Sequence, residues 1–462
     1  MIGLTDALAE YAATVRAEDL PREVLDRAGA LALDLIGNII RARHSSESTP
    51  ALLSAVKILG TEGREAHVFS DPATYSSATA ALINGTLGHS LDFDDTHAVA
   101  VVHPGATVIP AALAAGEATG ASGASVAAAI VAGYEVALRL SLALPAGAHY
   151  QRGFHPSATC GAFGAAAAAG RVYGLSRDQM MSAFGVVLSQ TSGSLQFLAN
   201  GAWTKRFQVG WASLAGMVAA TLAREGFIGA SQALEGKHGF LNSYGDPTNP
   251  GRFFEDLGRK YELMAVGVKP YPSCRWGHAG IDAALWLRKE HDFDVDAIDE
   301  IQLGLSQAGM LLIGSPADQK SRPANIVDAQ FSGPFVIATA LLTGKVDWNS
   351  FGLLGDARLQ RLMSKVGCIN APEIEAEFPE HMAALVNIRF GTRSVQRKVI
   401  DPSGEPANFP TRTELCRKFA GLAAGILSAA EIDHLQETIL RFYELDKIGL
   451  AFSTGAGQVK AA

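Results

Sequence analysis

Residues 125–144 read SVAAAIVAGYEVALRLSLAL, and residues 158–172 read ATCGAFGAAAAAGRV. Both stretches are apolar on almost every side and rich in Ala and Gly, which indicates buried helices whose backbones approach closely. The same texture recurs in residues 108–118, 180–190 and 209–225, where β-branched alternation is scarce. We therefore predict a helical core for the first half of the chain.

The pattern changes near residue 265. Apolar residues alternate with polar or small ones over 301–305, as in a half-buried strand. A second alternation over 386–390 is followed by Gly391 and a further strand-like run over 395–399, which predicts a hairpin. Residues 415–445 then return to helical spacing.

These patterns predict a mainly α protein in three segments. Residues 1–266 form the first part of a large helical domain, residues 267–400 form a smaller α+β domain, and residues 401–462 form a C-terminal helical part. The C-terminal helices have the spacing to rejoin the first helical segment, which would make the α+β domain an insertion or a lid.

Composition narrows the classes of function. The chain has 462 residues with 38 Lys plus Arg against 46 Asp plus Glu, a net charge of −8 without a basic block, which argues against nucleic acid as the partner. Its four cysteines form no C-x-x-C pair, so a disulfide framework or zinc cage is not expected. The N-terminus lacks a basic n-region, and prolines interrupt the uncharged stretch 98–116, so we expect a cytoplasmic protein without a membrane partner.

The densest polar cluster is HSLDFDDTH at residues 89–97, followed by His103. Two histidines and three carboxylates within nine residues are costly to bury unless they are paired or used. The spacing matches no metal signature, so we expect no metal, although His and Asp are both ligands. The structural alternative is a capped helix end whose carboxylates accept backbone N–H groups.

Two short motifs also fit this cluster. Asp92–Asp95 matches the D-x-D-D string of protonating terpene cyclases, and Asp92, Asp94 and Thr96 have the D-x-D-x-T spacing of haloacid-dehalogenase-type phosphatases. The repeated aromatic-rich motif of the first and the preceding hydrophobic strand of the second are both missing, so neither context is present.

Two further groups of residues carry chemistry. His155 stands before Pro156 at the start of a predicted helix, where free backbone N–H groups favour an anion or where a structural cap forms. Lys205 lies beside aromatic residues, and Lys269 opens a proline-fixed segment that runs to His278. Cations held in this way suit a carboxylate-binding site, and solvated surface lysines are the alternative.

Taken in order, six segments resemble the MmgE/PrpD family over most of the chain: 88–96, 103–105, 133–137, 153–159, 205–207 and 269–278. The resemblance implies a cofactor-free, homodimeric enzyme with a helical domain built from both chain ends and an α+β lid. Known activities in that family are 2-methylcitrate dehydratase, cis-aconitate decarboxylase and iminodisuccinate epimerase.

The resemblance also implies a site in the cleft between helical domain and lid, where a carbanion beside a carboxylate forms or is quenched. Its expected residues are Asp92, Thr96, His103, His155, Lys205 and Lys269. His103 is expected to move the proton, His155 to assist as acid, base or substrate binder, and the two lysines to hold carboxylates. Asp92 and Thr96 are expected to orient His103 or to bind the substrate.

This sequence departs from the decarboxylase-like members at one expected substrate-binding position. Cys274 stands five residues after Lys269, where those members carry a histidine, and the next histidine here is His278. Cys274 and His278 are both expected to bind the substrate. We therefore expect a dehydratase-like lyase acting on a citrate-like or substituted succinate-like di- or tricarboxylate, with decarboxylation less favoured. Epimerisation of an imino- or amino-dicarboxylate is the alternative, and a non-enzymatic carboxylate-binding dimer is a third.

Overall fold

The computed structural model describes residues 3–144, 146–247 and 250–449. It divides into two units: the larger contains the described residues up to Gly267 and from Thr411 onward, and the smaller contains Val268–Pro410. Helices dominate, with strands gathered into two small sheets, which confirms the predicted fold class. The predicted segment 401–462 runs past residue 449, so its last part lies outside the described residues.

The chain forms most of the larger unit first, then the smaller unit, and then returns to the larger unit. The larger unit begins with α1 (Leu4–Thr14), α2 (Arg22–Ser45), α3 (Thr49–Ile58), β1 (Glu62–His67), β2 (Thr74–Tyr75), α4 (Ser77–Gly88), α5 (Gly105–Thr119), α6 (Gly123–Ala143), α7 (Ala146–Gln151), α8 (Pro156–Val172), α9 (Arg177–Leu188), α10 (Thr204–Arg224) and α11 (Phe240–Tyr244). The smaller unit contains α12 (His278–Glu290), β3 (Glu300–Leu305), α13 (Gln307–Gly309), α14 (Ala317–Lys320), α15 (Ile326–Gln330), α16 (Gly333–Thr343), α17 (Ala357–Met363), β4 (Val366–Asn370), α18 (Pro372–Glu375), β5 (Ala384–Phe390) and β6 (Arg393–Val399). The chain then returns to the larger unit with α19 (Arg412–Ala423) and α20 (Ala429–Leu440).

Glycines allow the central helices of the larger unit to touch through their backbones. Where α6 crosses α8, a Cβ atom at Gly133 would lie 2.7 Å from the carbonyl oxygen of Gly164, and one at Gly164 would lie 2.7 Å from that of Gly133. Where α10 packs on α8, a Cβ atom at Gly216 would lie 2.5 Å from the backbone nitrogen of Ala166. These contacts confirm that the Gly-rich stretches serve close helix packing.

Helix α6 is the one described helix that is long and apolar enough to cross a membrane. Nearly all of it is buried inside the larger unit, as is typical of a core helix.

Three helix starts position the polar residues of the larger unit. Helix α5 begins at Gly105, two residues after His103, and α8 begins at Pro156 with His155 as its N-cap residue. Helix α10 begins at Thr204, so Lys205 lies in its first turn.

The smaller unit is built on a four-stranded sheet in the order β4–β3–β5–β6. Strand β3 runs parallel to β4 and antiparallel to β5, and its buried face carries Ile301, Leu303 and Leu305. Strands β5 and β6 form an antiparallel hairpin that closes at Gly391, which has a φ of +55°. Both the strand and the hairpin are confirmed.

The antiparallel pair of β1 and β2 was not predicted in the helical first half. Strand β1 reads EGREAH, whose charged residues hide the alternation that marks a half-buried strand. Its contacts to the helices are partly polar: Glu65 accepts hydrogen bonds from Ser77, and His67 pairs with Glu117 at 2.8 Å. Hydropathy alone therefore gives no signal for it.

Candidate active site

The segment between α4 and α5, residues 89–104, carries most of the polar residues that the sequence singled out. Its backbone is held by two β-bridges, from Thr96 to Gly267 and from His97 to Val102. Asp92 and Val101 take left-handed conformations, with φ of +51° and +54°. Such conformations cost about 1–3 kcal/mol each and cluster at functional sites, and for the β-branched Val101 this one is exceptional.

A carboxylate and two imidazoles meet in this segment. His89 Nδ1 lies 2.7 Å from Asp94 Oδ2, and His103 Nδ1 lies 3.5 Å from the same oxygen. The His89 and His103 rings meet edge to face, with centroids 4.8 Å apart. His89 and Asp94 have fully buried side chains, whereas 17% of the His103 side chain is exposed. Only His103 of the three therefore reaches solvent.

Asp94 and Asp95 are adjacent in sequence and buried, but their pKa values are shifted in opposite directions. Burial raises the pKa of Asp94, yet the charges and hydrogen bonds of His89 and His103 outweigh it and hold that pKa well below its usual range. Burial and the neighbouring charge of Asp94 raise the pKa of Asp95 well above its usual range, although Tyr134 and Gly105 donate hydrogen bonds to it. Asp94 is the charged member of the pair.

His155 adds a third imidazole to the cluster. Its ring centroid lies 6.0 Å from that of His89 and 5.5 Å from that of Phe197, and its Nδ1 donates to Gln208 Oε1 at 3.2 Å. Burial lowers the pKa of His155 well below its usual range, and the charges of His89, Lys205 and His103 lower it further. A neutral imidazole in this position is able to accept a proton.

Helices α8 and α10 bring two further contacts to the segment. Lys205 Nζ donates to Asp92 Oδ1 at 2.6 Å, and 24% of the lysine side chain is exposed. The backbone N–H of His103 donates to Ser157 Oγ at 3.0 Å, in the first turn of α8. Asp92, the expected partner of His103 or of the substrate, is thus bonded to Lys205, and the carboxylate beside His103 is Asp94.

The structure places Asp92, Thr96, His103, His155 and Lys205 in the larger unit. The first four are buried or nearly so, and Thr96 is fixed by backbone hydrogen bonds with Gly267 in both directions. That they act on a substrate stays a prediction.

The remaining expected residues, Lys269, Cys274 and His278, lie in the smaller unit and are all buried. His278 begins α12, and its Nε2 donates to the carbonyl oxygen of Ser273 at 3.2 Å. Its ring packs against Tyr271 with centroids 5.4 Å apart. These contacts stiffen the proline-fixed segment, and the substrate-binding roles of the three residues stay predictions.

His89 and Asp94 are the functional candidates that the sequence did not single out by role. Both stood inside the cluster at 89–97, where the residues alone did not tell which carboxylate meets which histidine. The available signal was the five-residue separation across the end of α4, which lets the chain turn back so that Asp94 reaches the His89 ring.

His89, Asp94 and His103 are also the one group among the described residues whose possible ligand atoms approach closely enough to hold a metal ion, all within 4.8 Å. Two of these atoms are too close together to coordinate one ion jointly. Two ligand atoms on a tetrahedral zinc ion lie about 3.3 Å apart, whereas His89 Nδ1 and Asp94 Oδ2 are 2.7 Å apart. The spacing is that of a hydrogen bond.

Comparison with known proteins identifies relatives over nearly the whole chain. Residues 6–252 match the model of the MmgE/PrpD N-terminal domain, and residues 271–442 match that of the MmgE/PrpD C-terminal domain. A cis-aconitate decarboxylase-like protein, oryM, from Aspergillus oryzae is 26% identical, covering 95% of this chain and 94% of its own length.

Two cis-aconitate decarboxylases are also similar. The protein from Aspergillus terreus is 25% identical, covering 96% of this chain and 94% of its own length. The one from Mus musculus is 28% identical, covering 71% of this chain and 67% of its own length.

Proposed function

The chain belongs to the MmgE/PrpD family, and from that premise we propose that it is a lyase acting on a citrate-like or substituted succinate-like polycarboxylate. The reaction begins with removal of a proton from the carbon next to a carboxylate, or ends with delivery of a proton to that carbon. The observation that carries the proposal is the buried cluster around Asp94. Its charged carboxylate contacts His89 and His103, and His155 lies beside His89.

This cluster has the parts that such proton transfer needs. His103 is the partly exposed imidazole, and it therefore meets the substrate and moves the proton. His155 is held neutral by its surroundings and supplies a second base or, once protonated, an acid. Positioned groups of this kind contribute about 10²- to 10⁴-fold each to a rate.

Lys205 supplies the positive charge for an anionic substrate. Its ammonium group is bonded to Asp92, and a quarter of its side chain remains accessible. A substrate carboxylate that binds there shares the ammonium with Asp92, because an ammonium has three donors. Charge-assisted hydrogen bonds of this kind are worth about 1.5–3 kcal/mol.

Two lyase reactions are open to such a site, one that begins with proton removal and one that ends with proton delivery. In dehydration a histidine takes the proton, hydroxide leaves from the neighbouring carbon, and a protonated group completes it to water; we favour this reaction because Cys274 stands where decarboxylase-like members carry a histidine. Loss of CO₂ followed by protonation gives decarboxylation, which is the activity in the names of the relatives from Aspergillus terreus and Mus musculus. We propose a carboxylate lyase and rank dehydration first.

The test is a panel of di- and tricarboxylates, including citrate, 2-methylcitrate, cis-aconitate and substituted succinates, incubated with the protein in D₂O and followed by NMR. A lyase gives an unsaturated acid or releases CO₂, whereas deuterium exchange without either product selects the epimerase. His103→Ala is expected to abolish turnover, and His434→Ala, at an exposed position on α20, is the matched control. Full activity of His103→Ala would refute the assignment.

We further propose that the protein is a homodimer, as is expected of this family. Trp203, Phe207 and Trp211 follow one another at four-residue spacing along the start of α10, with 43%, 42% and 39% of each residue exposed. The rings of Phe207 and Trp211 have centroids 6.1 Å apart. An exposed aromatic row of this kind is typical of a surface that associates.

A further inference from the structure

We propose that Asp94 and His89 are positioning residues that hold His103 in the tautomer with its proton on Nδ1 and its lone pair on Nε2. The inference deepens the proposed function and rests on it for the role of His103. It assigns a place in the reaction to two buried residues that do not themselves meet the substrate.

The first argument is the number of donors around one oxygen. Asp94 Oδ2 lies 2.7 Å from His89 Nδ1 and 3.5 Å from His103 Nδ1. An ionised carboxylate only accepts hydrogen bonds, so both contacts are favourable only when each Nδ1 carries a proton. In a neutral ring the other nitrogen, Nε2, then keeps its lone pair and acts as the base.

The 3.5 Å separation at His103 lies at the outer limit of a hydrogen bond. Catalytic hydrogen bonds are often long without substrate and tighten in the complex. The backbone N–H of His103 donates to Ser157 Oγ at 3.0 Å, which holds the main chain at this residue. We expect the contact between His103 Nδ1 and Asp94 to shorten in the same way when substrate binds.

The second argument is that each of the other two carboxylates of the segment has a donor of a different kind. Asp92 accepts from Lys205 at 2.6 Å. Asp95 accepts from the Tyr134 hydroxyl at 2.7 Å and from the backbone N–H of Gly105 at 3.0 Å. Asp94 differs from both, because its Oδ2 lies 2.7 Å from His89 Nδ1 and 3.5 Å from His103 Nδ1.

His89 explains how Asp94 remains charged in a fully buried position. An isolated buried carboxylate is strongly disfavoured and takes up a proton instead, and a protonated Asp94 would no longer select the Nδ1–H tautomer. The short hydrogen bond from His89 offsets part of that cost. Because the His89 side chain is fully buried, its contribution is to Asp94 and not to the substrate.

Other charged or titratable groups also surround the cluster from the packed helices. Asp34 on α2 pairs with Lys418 on α19, Tyr134 lies on α6, His155 precedes α8, and Lys205 lies on α10. These groups stay in place when Asp94 alone is changed, so a comparison of variants isolates its effect.

The first experiment needs no substrate. Histidines of the full-length protein are labelled with ¹⁵N, and long-range ¹H–¹⁵N correlations report which ring nitrogen carries the proton, with His103→Ala and His89→Asn used for assignment. We expect His89 and His103 to show the Nδ1–H tautomer, and Asp94→Asn to shift His103 toward Nε2–H. His103 with its proton on Nε2 in the unaltered protein would overturn the proposal.

The second experiment uses whichever polycarboxylate of the panel is turned over. Asp94→Asn is expected to lower kcat by about 10²-fold or more and to move the acid limb of the kcat/KM profile to lower pH, because loss of the anion destabilises the imidazolium. His89→Asn retains a donor toward Asp94 and is expected to lose less activity than His89→Ala. A purely structural role would lower the amount of folded enzyme without moving the pH profile.

Asp95→Asn is the matched control, because Asn resembles the protonated state toward which Asp95 is shifted. It is expected to leave the pH profile and the tautomer of His103 unchanged. An Asp94→Asn variant that keeps the wild-type rate and pH profile refutes the positioning role of Asp94 while the proposed function stands. If the histidines show the expected tautomers but no acid of the panel is turned over, the proposed function is refuted while the positioning of His103 by Asp94 stands. If Asp94→Asn does not fold, the spectrum of the unaltered protein and the two His89 variants decide.

Discussion

Gly164→Ala tests whether the contact of α6 with α8 holds the site in place. The new Cβ atom would lie 2.7 Å from the carbonyl oxygen of Gly133 and 2.8 Å from Ala137 Cβ. An ordinary contact begins at 3.4 Å, so the two helices must separate by about 0.7 Å. Overpacking of a core costs about 1–3 kcal/mol, whereas replacing Gly by Ala in a helix contributes about 1 kcal/mol.

The net expectation for Gly164→Ala is a loss of up to about 2 kcal/mol in the free energy of unfolding. Gly421→Ala is the matched control: Gly421 lies in α19, and a Cβ atom there would meet nothing within 4 Å. It is expected to stabilise the protein by up to about 1 kcal/mol. Urea denaturation of the two variants beside the unaltered protein measures both changes.

The same variant is expected to lower turnover, because α8 begins directly after His155 and carries Ser157, which holds His103. A Gly164→Ala protein as stable as the Gly421→Ala protein would refute the packing argument. A destabilised variant with unchanged kcat would show that the site does not depend on the position of α8.

Three further predictions concern charge and association. The pKa of His155 is lowered in the fold, so the unfolded chain binds this proton at a higher pH than the folded protein does. The free energy of unfolding should therefore rise with pH up to the unfolded pKa of about 6.5. In His155→Asn this slope, measured by urea denaturation at several pH values, should be smaller, and an unchanged slope would contradict the lowered pKa. Lys205→Met should raise KM for a polycarboxylate about 10- to 100-fold, measured by steady-state kinetics against Lys57→Met, at an exposed site on α3, as control. Trp211→Glu should convert the proposed dimer to a monomer in sedimentation velocity, and a dimer that persists would exclude this face of α10.

Hydropathy patterns predicted the larger features of the fold because each pattern matched the environment of its element. The stretches 125–144 and 158–172 became α6 and α8, buried almost all round, as an apolar helix without a polar face requires. The alternation over 386–390 became β5, paired with β6 across Gly391. The strand pair β1 and β2 was not predicted, because β1 is rich in charged residues and β2 is only two residues long.

The candidate site was predictable as a region but not as a set of pairs. His103, His155 and Lys205 were named from their motifs, and each lies at or near the start of a helix that packs in the core of the larger unit. Which of three carboxylates in four residues meets an imidazole depends on tertiary contacts that no local pattern records. The left-handed backbone of Asp92, for example, is not visible in the sequence.

The three carboxylates differ in chemistry because each meets a different kind of partner. Asp92 meets Lys205 from α10, Asp95 meets the Tyr134 hydroxyl from α6, and Asp94 meets two imidazoles from its own segment. The three neighbouring carboxylates therefore have different partners: an ammonium for Asp92, a neutral hydroxyl for Asp95 and titratable imidazoles for Asp94. The pKa of Asp94 falls while that of Asp95 rises, so one buried charge is retained beside His103 and a second, which would repel it, is avoided. Because α10 and α6 supply the partners of Asp92 and Asp95, and Ser157 of α8 holds the backbone of His103, the Gly-mediated packing of these helices is itself a condition for the ionisation state of the site.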